Sequence, residues 1–381
     1  MPEHRPDAPL RIIHIFRTPV GGLFRHVLDV ARGQIERGHA VGVVCDSSTG
    51  GARAETALGD LAPHLSLGLT RIPMSRNPGL GDVRALRDIR ALVHQKTPDI
   101  VHGHGSKGGL YARLPALYDR AWPAGIYTPH GGSFHFSGFS PRDALYRGVE
   151  RLLARHTSVF LMESTYIAGC TERLIGPLKS PVRVVPNGIT EAEFEPVTAD
   201  ADAVDILYLG EMRTLKGIDT LLLALAELRD KGKPLTALLV GAGPDEDALK
   251  AQAAQLGLSG QVTFSGPRPI REALPRARLM VVPSRGESLP YVVLEAAAAA
   301  MPLVATNVGG IPEIFGPCKD RLIKPSDPAA LARAIDATLA GDMAADAALL
   351  RDHVRRNFSY NGMVDGGIAA YREALAIAAA D

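Results

Sequence analysis

The sequence holds only three cysteines in 381 residues, Cys45, Cys170 and Cys318. They lie far apart and form no CxxC pair. That excludes a disulfide framework and a zinc knuckle, and leaves three ordinary buried thiols. Aromatic residues are scarce, at 5% with one tryptophan, so the cores must be built from Ala, Val, Leu and Ile. No apolar run reaches the roughly 18 residues that a membrane-spanning helix needs. The opening MPEHRPDAPL lacks the basic-then-apolar order of a secretory signal, so a cytoplasmic protein is expected. No nucleic-acid partner is expected.

What is present is average in amount and uneven in placement. The hydrophobic fraction is 46% and the charged fraction 22%, the balance of a soluble globular protein. The chain is too long for one ordinary core and fits two domains. Residues 1–190 carry 23 Lys and Arg against 15 Asp and Glu, and residues 191–381 carry 19 against 26. Eleven of the twelve histidines also precede residue 190. A basic half joined to an acidic half suggests two different tasks.

Both halves repeat one grammar. RIIHIF, the turn TPVGG, a helical stretch and HAVGVVC make a strand, a glycine-rich turn, a helix and a second strand. Such a crossover requires parallel strands. PDIVHGHG, AGIYTPHGG, SVFLMES and VRVVPNGI continue the first half, and AVDILYLGEMR, LTALLVGAGP, QVTFSGP, RLMVVPS and PLVATNVGG pace the second. Their Val/Ile/Leu runs are continuous rather than alternating, as in parallel sheets buried on both faces. The expected fold class is α/β, with two Rossmann-like domains. Residues 1–190 form the first, the acidic stretch 191–203 the linker, 204–360 the second, and 361–381 a terminal helix.

The stretch most informative about chemistry is PSRGESLPYVVLE, Pro283 to Glu295. Glu287 and Glu295 stand eight positions apart, a separation that two helical turns bring to one face. A helix start near Ser288 to Tyr291 would aim free N–H groups at the same spot, which suits a diphosphate. Upstream, GEMRTLKG sets Arg213 and Lys216 in a loop after a strand, where ligands bind in open α/β sheets. In the first half, Gly21 and Gly22 permit close backbone approach, although the turn lacks the spacing of GxGxxG. His130, in TPHGG, directly follows a strand and can donate a hydrogen bond to a sugar hydroxyl. His102 and His104 face one side of their strand, but the sequence offers no third ligand of matching spacing. No metal is expected.

Together, PVGG, TPHGG, PNGI, LGEMRTLKG, LLVGAGP and PSRGESLPYVVLEAAAAAMPLVATNVGGIPEI resemble glycosyltransferase family 4, over nearly the whole chain. The resemblance implies the GT-B architecture, two Rossmann-like domains with a cleft between them. It implies a retaining, metal-independent transferase acting on a nucleotide-diphosphate sugar, with no cofactor. By that likeness Glu287 contacts the donor sugar, Glu295 the ribose, and Lys216 the diphosphate. Gly286, Ser288 and Leu289 lie near the phosphates, Gly21 and Gly22 near the donor, and His130 beside the transferred sugar. Many members carry arginine right after the glycine matching Gly210, where this chain has Glu211; Arg213 is the candidate replacement. The terminal helix is expected to cross back to the first domain. The acceptor is expected to be a saccharide or a lipid-linked sugar, the process polysaccharide or glycolipid assembly. The basic first half is expected to touch the cytoplasmic face of the inner membrane peripherally. Other readings of the same fold are a nucleotide-sugar epimerase, a sugar phosphorylase, or a non-catalytic nucleotide-sugar-binding protein.

Overall fold

A computed structural model describes residues 8–131 and 141–380. The first seven residues, read above for a leader, Gly132 of PHGG and Asp381 lie outside the described residues. The chain divides into two compact units: one runs to Asn187 and resumes at Tyr360, the other is Gly188–Ser359.

In the first unit the apolar runs become seven strands. They are β1 (Arg11–Phe16), β2 (Ala40–Asp46), β3 (Gly68–Ile72), β4 (Ile100–His104), β5 (Ala124–Thr128), β6 (Val159–Met162) and β7 (Val182–Val184). All pair in parallel, in the order β3-β2-β1-β4-β5-β6-β7. The second unit holds β8 (Val204–Leu209), β9 (Ala237–Val240), β10 (Val262–Ser265), β11 (Ala277–Val282) and β12 (Leu303–Ala305), also parallel, in the order β10-β9-β8-β11-β12. Burial follows the continuous patterns: Ile12, Ile13, Ile15 and Phe16 of β1, and Leu279 to Val281 of β11, are almost wholly covered. In each sheet the winding reverses once, between β1 and β4 and between β8 and β11. Ligands of open α/β sheets bind beyond the strands' carboxyl ends at such reversals.

Two segments refine the sequence-based outline. The stretch 191–203, expected as a linker, packs onto the second unit: Phe194 is buried, Arg351 donates to its carbonyl, and Val197 N donates to Ala299 O at 2.9 Å. An aromatic side chain that can be buried outweighs the acidic, proline-containing composition around it. The helix Tyr360–Ala380 belongs to the first unit and packs on the helix Gly21–Glu36. A Cβ on Gly33 would lie 2.4 Å from Val364, so the glycine lets the two helices approach. Arg37 pairs with Asp365 at 2.6 Å, and the buried Tyr371 reaches Gln34. No helix among the described residues is long and apolar enough to cross a membrane.

Candidate functional site

In the second unit two loops leave the carboxyl ends of β8 and β11 and are fastened to each other. Gly217 ends the first loop at φ 68°, and a Cβ there would lie 2.0 Å from Pro283 O. Only glycine allows that approach. Arg285 binds the loops from the other side. Its N–H donates to Leu215 O at 2.8 Å, and its guanidinium reaches Thr214 O, Asp219 and Ser326 at 2.5, 2.5 and 3.0 Å. Asp245 accepts from the Thr214 amide and hydroxyl at 2.5 and 2.7 Å. Sequence reasoning passed over Arg285, although it stands inside the motif that was singled out.

This bracing brings Lys216 and Glu287 together. Lys216 Nζ lies 2.6 Å from Glu287 Oε1, and Ser284 Oγ donates to the same oxygen at 2.7 Å. Thr306 Oγ1 in turn donates to Ser284 O at 2.6 Å. Both bonds to the carboxylate end on Oε1, so Oε2 has no partner among the described residues. Glu287 is 8% exposed, and a pair so sheltered feels a lower dielectric than a surface pair. The same carboxylate adds to the burial that pushes the Tyr208 phenol well above its ordinary range.

Gly309 holds Glu287 from behind. It sits at φ 60°, and a Cβ would lie 1.9 Å from Glu287 O. Gly309→Ala is therefore expected to cost about 2–4 kcal/mol, from positive-φ strain and overpacking. Urea unfolding measures that loss, and the displaced Glu287 should depress any turnover alongside it.

The other expected residues are distributed as follows. The helix Tyr291–Ala298 begins after Pro290, so Gly286, Ser288 and Leu289 precede it. Glu295 is half-buried in its second turn, whereas Glu287 lies four residues ahead of the helix. The helical period invoked for the two glutamates therefore does not relate them, because only one is helical. Arg213 is exposed and faces Glu211 at 3.4 Å, rather than sharing Lys216's partner.

In the first unit, Gly21 and Gly22 open the helix Gly21–Glu36, which has no side-chain cap at its start. Gly21 has φ 69°, and a Cβ there would meet nothing within 4 Å, so the turn is open to close approach. His130 follows β5 in the left-handed region at φ 52°, with Gly131 at φ 71° after it. A histidine held there stores strain, a mark of functional turns.

His130 is one of five clustered imidazoles. The parallel register sets His14 of β1 beside His102 of β4, and His102 and His104 stack with centroids 3.9 Å apart. His26 meets the His130 ring edge-on at 4.8 Å. Hydrogen bonds then run in one line. Gln34 Oε1 meets His14 Nε2 at 2.8 Å, His14 Nδ1 meets His104 Nε2 at 2.9 Å, and His104 Nδ1 meets His130 Nε2 at 3.1 Å. A branch runs from Gln34 Nε2 to Tyr371 (3.2 Å), on to His102 Nδ1 (2.7 Å), and from His102 Nε2 to Thr128 (2.9 Å). With its NH₂ turned to Tyr371, Gln34 offers His14 a carbonyl oxygen, which only accepts, so the proton sits on His14 Nε2. By succession His104 donates through Nε2 and His130 through Nε2. Burial drives all five rings toward the neutral form. His14 and His26 fall to about 4 from 6.5, and His102, His104 and His130 lie well below 6.5. Of this group the sequence had pointed to His102, His104 and His130, while His14 inside the apolar RIIHIF and His26 inside the first helix went unmarked.

Comparison with known proteins follows the same division. Residues 190–362 match the family model described as glycosyl transferases group 1, and residues 20–193 that of Glycosyltransferase Family 4. The putative glycosyltransferase EpsD of Bacillus subtilis is 30% identical over 285 residues, 70% of this chain and 74% of that protein. A glycogen synthase of Mycobacterium tuberculosis is 29% identical over 349 residues, 84% of this chain and 83% of that one. Among solved structures, a sucrose-phosphate synthase of Thermosynechococcus elongatus superposes with a TM-score of 0.80 at 20% identity, over 98% of this chain and all of that one. Anabaena HepE, solved with UDP-glucose, gives 0.78 at 20% identity, over 94% and 98%.

Proposed function

The chain belongs to glycosyltransferase family 4 and has the GT-B fold, and on that footing we propose the reaction it performs: transfer of a sugar from a nucleotide-diphosphate sugar to a saccharide or lipid-linked acceptor, with retention and without a metal. The observation that carries this reading is the Lys216–Glu287 pair at the reversal of the second sheet. The Lys216 ammonium receives the charge of the departing diphosphate, aided by backbone N–H groups at Gly286, Ser288 and Leu289. Glu287 Oε2 accepts from donor-sugar hydroxyls, Glu295 from the ribose, and Arg213 adds charge at the rim. Gly21 and Gly22 let backbone approach the donor, and His130 bonds a sugar hydroxyl.

The anomeric C–O bond to the diphosphate breaks as the acceptor oxygen adds on the same face, and a phosphate oxygen takes the acceptor's proton. No enzyme nucleophile is required. The likeness to the glycogen synthase supports a role in polysaccharide assembly, with glycolipid assembly the other process proposed. The basic excess of residues 1–190 supports a cytoplasmic enzyme held peripherally at the inner membrane.

A panel of nucleotide sugars, read by thermal stabilisation and then by turnover, tests the donor class. Sugar transfer should persist in EDTA within about twofold, since about 0.4 kcal/mol is all that factor represents; its abolition overturns metal independence. Incubation without acceptor should give slow hydrolysis at most, and a changed sugar would identify an epimerase instead. Sedimentation with anionic liposomes at low salt tests the membrane contact, and failure to co-sediment removes it.

A further inference from the structure

The donor chemistry uses one histidine of the five. Two groups of three are close enough to hold a metal ion, each residue offering a ring nitrogen within 4.8 Å of the others: His14, His102 and His104, and His26, His104 and His130. Their bonding separates them. In the first group every ring has both nitrogens engaged by a neighbour, so none offers an unmatched lone pair. In the second, His26 Nδ1 bonds Asn187 Oδ1 at 3.0 Å, while the buried Nε2 has no partner among the described residues. With a carboxamide oxygen facing Nδ1, the proton resides there and Nε2 is a bare lone pair. Leaving such a buried atom unmatched is unfavourable, and a bound group would match it.

We infer that His26, His104 and His130 form a three-imidazole site for a divalent first-row cation of the zinc class. The ligand atoms are His26 Nε2, His104 Nδ1 and His130 Nε2. The last two stand 3.1 Å apart. A tetrahedral ion bound at about 2.0–2.1 Å needs ligand nitrogens about 3.3 Å apart, so the ion takes the place of the proton between those rings. That proton passes from His130 Nε2 to Nδ1 by way of solvent, leaving the ring neutral and releasing none overall. Each outer contact points the right way for ligation: Asn187 fixes His26, and His14, itself fixed by Gln34, fixes His104. His130 is partly exposed and gives the ion a way in and a fourth position for water. A set of three nitrogens without a carboxylate favours zinc-class ions over calcium or magnesium. Occupation also moves the His130 proton to Nδ1 and so changes the bond that ring offers a sugar hydroxyl, so transfer changes with the ion; this clause alone rests on the proposed function.

Untagged protein stripped with EDTA and titrated with Co2+ is the test. One Co2+ per chain is expected, with the visible absorption of a four-coordinate site, displaced by Zn2+. His26→Ala should weaken binding at least tenfold, and Asn187→Ala by about tenfold, the range for an outer-shell partner. Should either variant fail to fold, Zn X-ray absorption of the unaltered protein decides, with three imidazoles at about 2.0–2.1 Å expected. Absence of stoichiometric uptake, fewer than three imidazoles, or His26→Ala binding as tightly as the parent overturns the site. Transfer is assayed separately with Zn2+ and then with EDTA. Binding with unchanged turnover upholds the site and overturns the role of His130. Absence of binding overturns the site and leaves the Lys216–Glu287 reading intact.

Discussion

Glu287→Gln is expected to lower sugar transfer by two to three orders of magnitude while leaving nucleotide affinity within a fewfold of the parent. The substitution keeps a carbonyl oxygen where Lys216 Nζ and Ser284 Oγ donate, at 2.6 and 2.7 Å, so the two loops stay fastened. It removes the negative charge that strengthens hydrogen bonds to sugar hydroxyls as charge develops. Removing one such preorganised contact costs about 3–4 kcal/mol of transition-state stabilisation, or about 10²–10³ in rate. Lys216→Ala should behave differently, losing turnover and nucleotide affinity together, because the ammonium meets the diphosphate in ground state and transition state alike. Steady-state kinetics beside calorimetric nucleotide binding distinguishes the two patterns. Equal losses of both quantities in both variants would mean that the pair holds the loops and does no chemistry.

Acid should unfold the first unit far more steeply than its surface charge suggests. In the folded chain His14 and His26 titrate near 4, against 6.5 in an exposed chain, because burial disfavours their charged form. Between these values the unfolded chain binds protons that the folded one refuses. The stability these rings hold is therefore complete above pH 6.5 and lost as pH falls toward 4. Each ring contributes on the order of 3 kcal/mol across that window. His102, His104 and His130 shift the same way and deepen the loss. Hydrogen exchange of the β1 and β4 amides at pH 7, 6 and 5, corrected for intrinsic rates, reads it locally. Protection unchanged across that range would show that the rings accept protons without opening the sheet.

The parts of this fold that were plain in the sequence are those written in continuous stretches. Parallel strands show as runs such as RIIHIF and RLMVVPS because burial on both faces admits little else. Lys216 and Glu287 could be singled out because each follows a strand at a glycine-marked turn. What stayed hidden depends on strand order. His14 and His102 become neighbours only once β1 is known to pair with β4, and Tyr371 joins them from 269 residues beyond His102. Arg213 and Arg285 show the other difficulty: a loop's sequence does not tell which of its cations turns inward. Arg285 found the half-buried Asp219, whereas Arg213 found only the exposed Glu211. That the stretch 191–203 packs onto the second unit stayed hidden because its anchor is a single buried phenylalanine, Phe194, among acidic neighbours.

The helix Tyr360–Ala380 has a bearing on how the protein is made. Gly188–Ser359 is a continuous stretch and can complete its sheet as it leaves the ribosome. The first unit has all seven strands by Val184, but its packing waits for Tyr371, whose hydroxyl joins Gln34 to His102. The half of the molecule synthesised first is thus finished last, and a chain halted before residue 360 would carry an intact Lys216–Glu287 pair beside a histidine row missing its keystone.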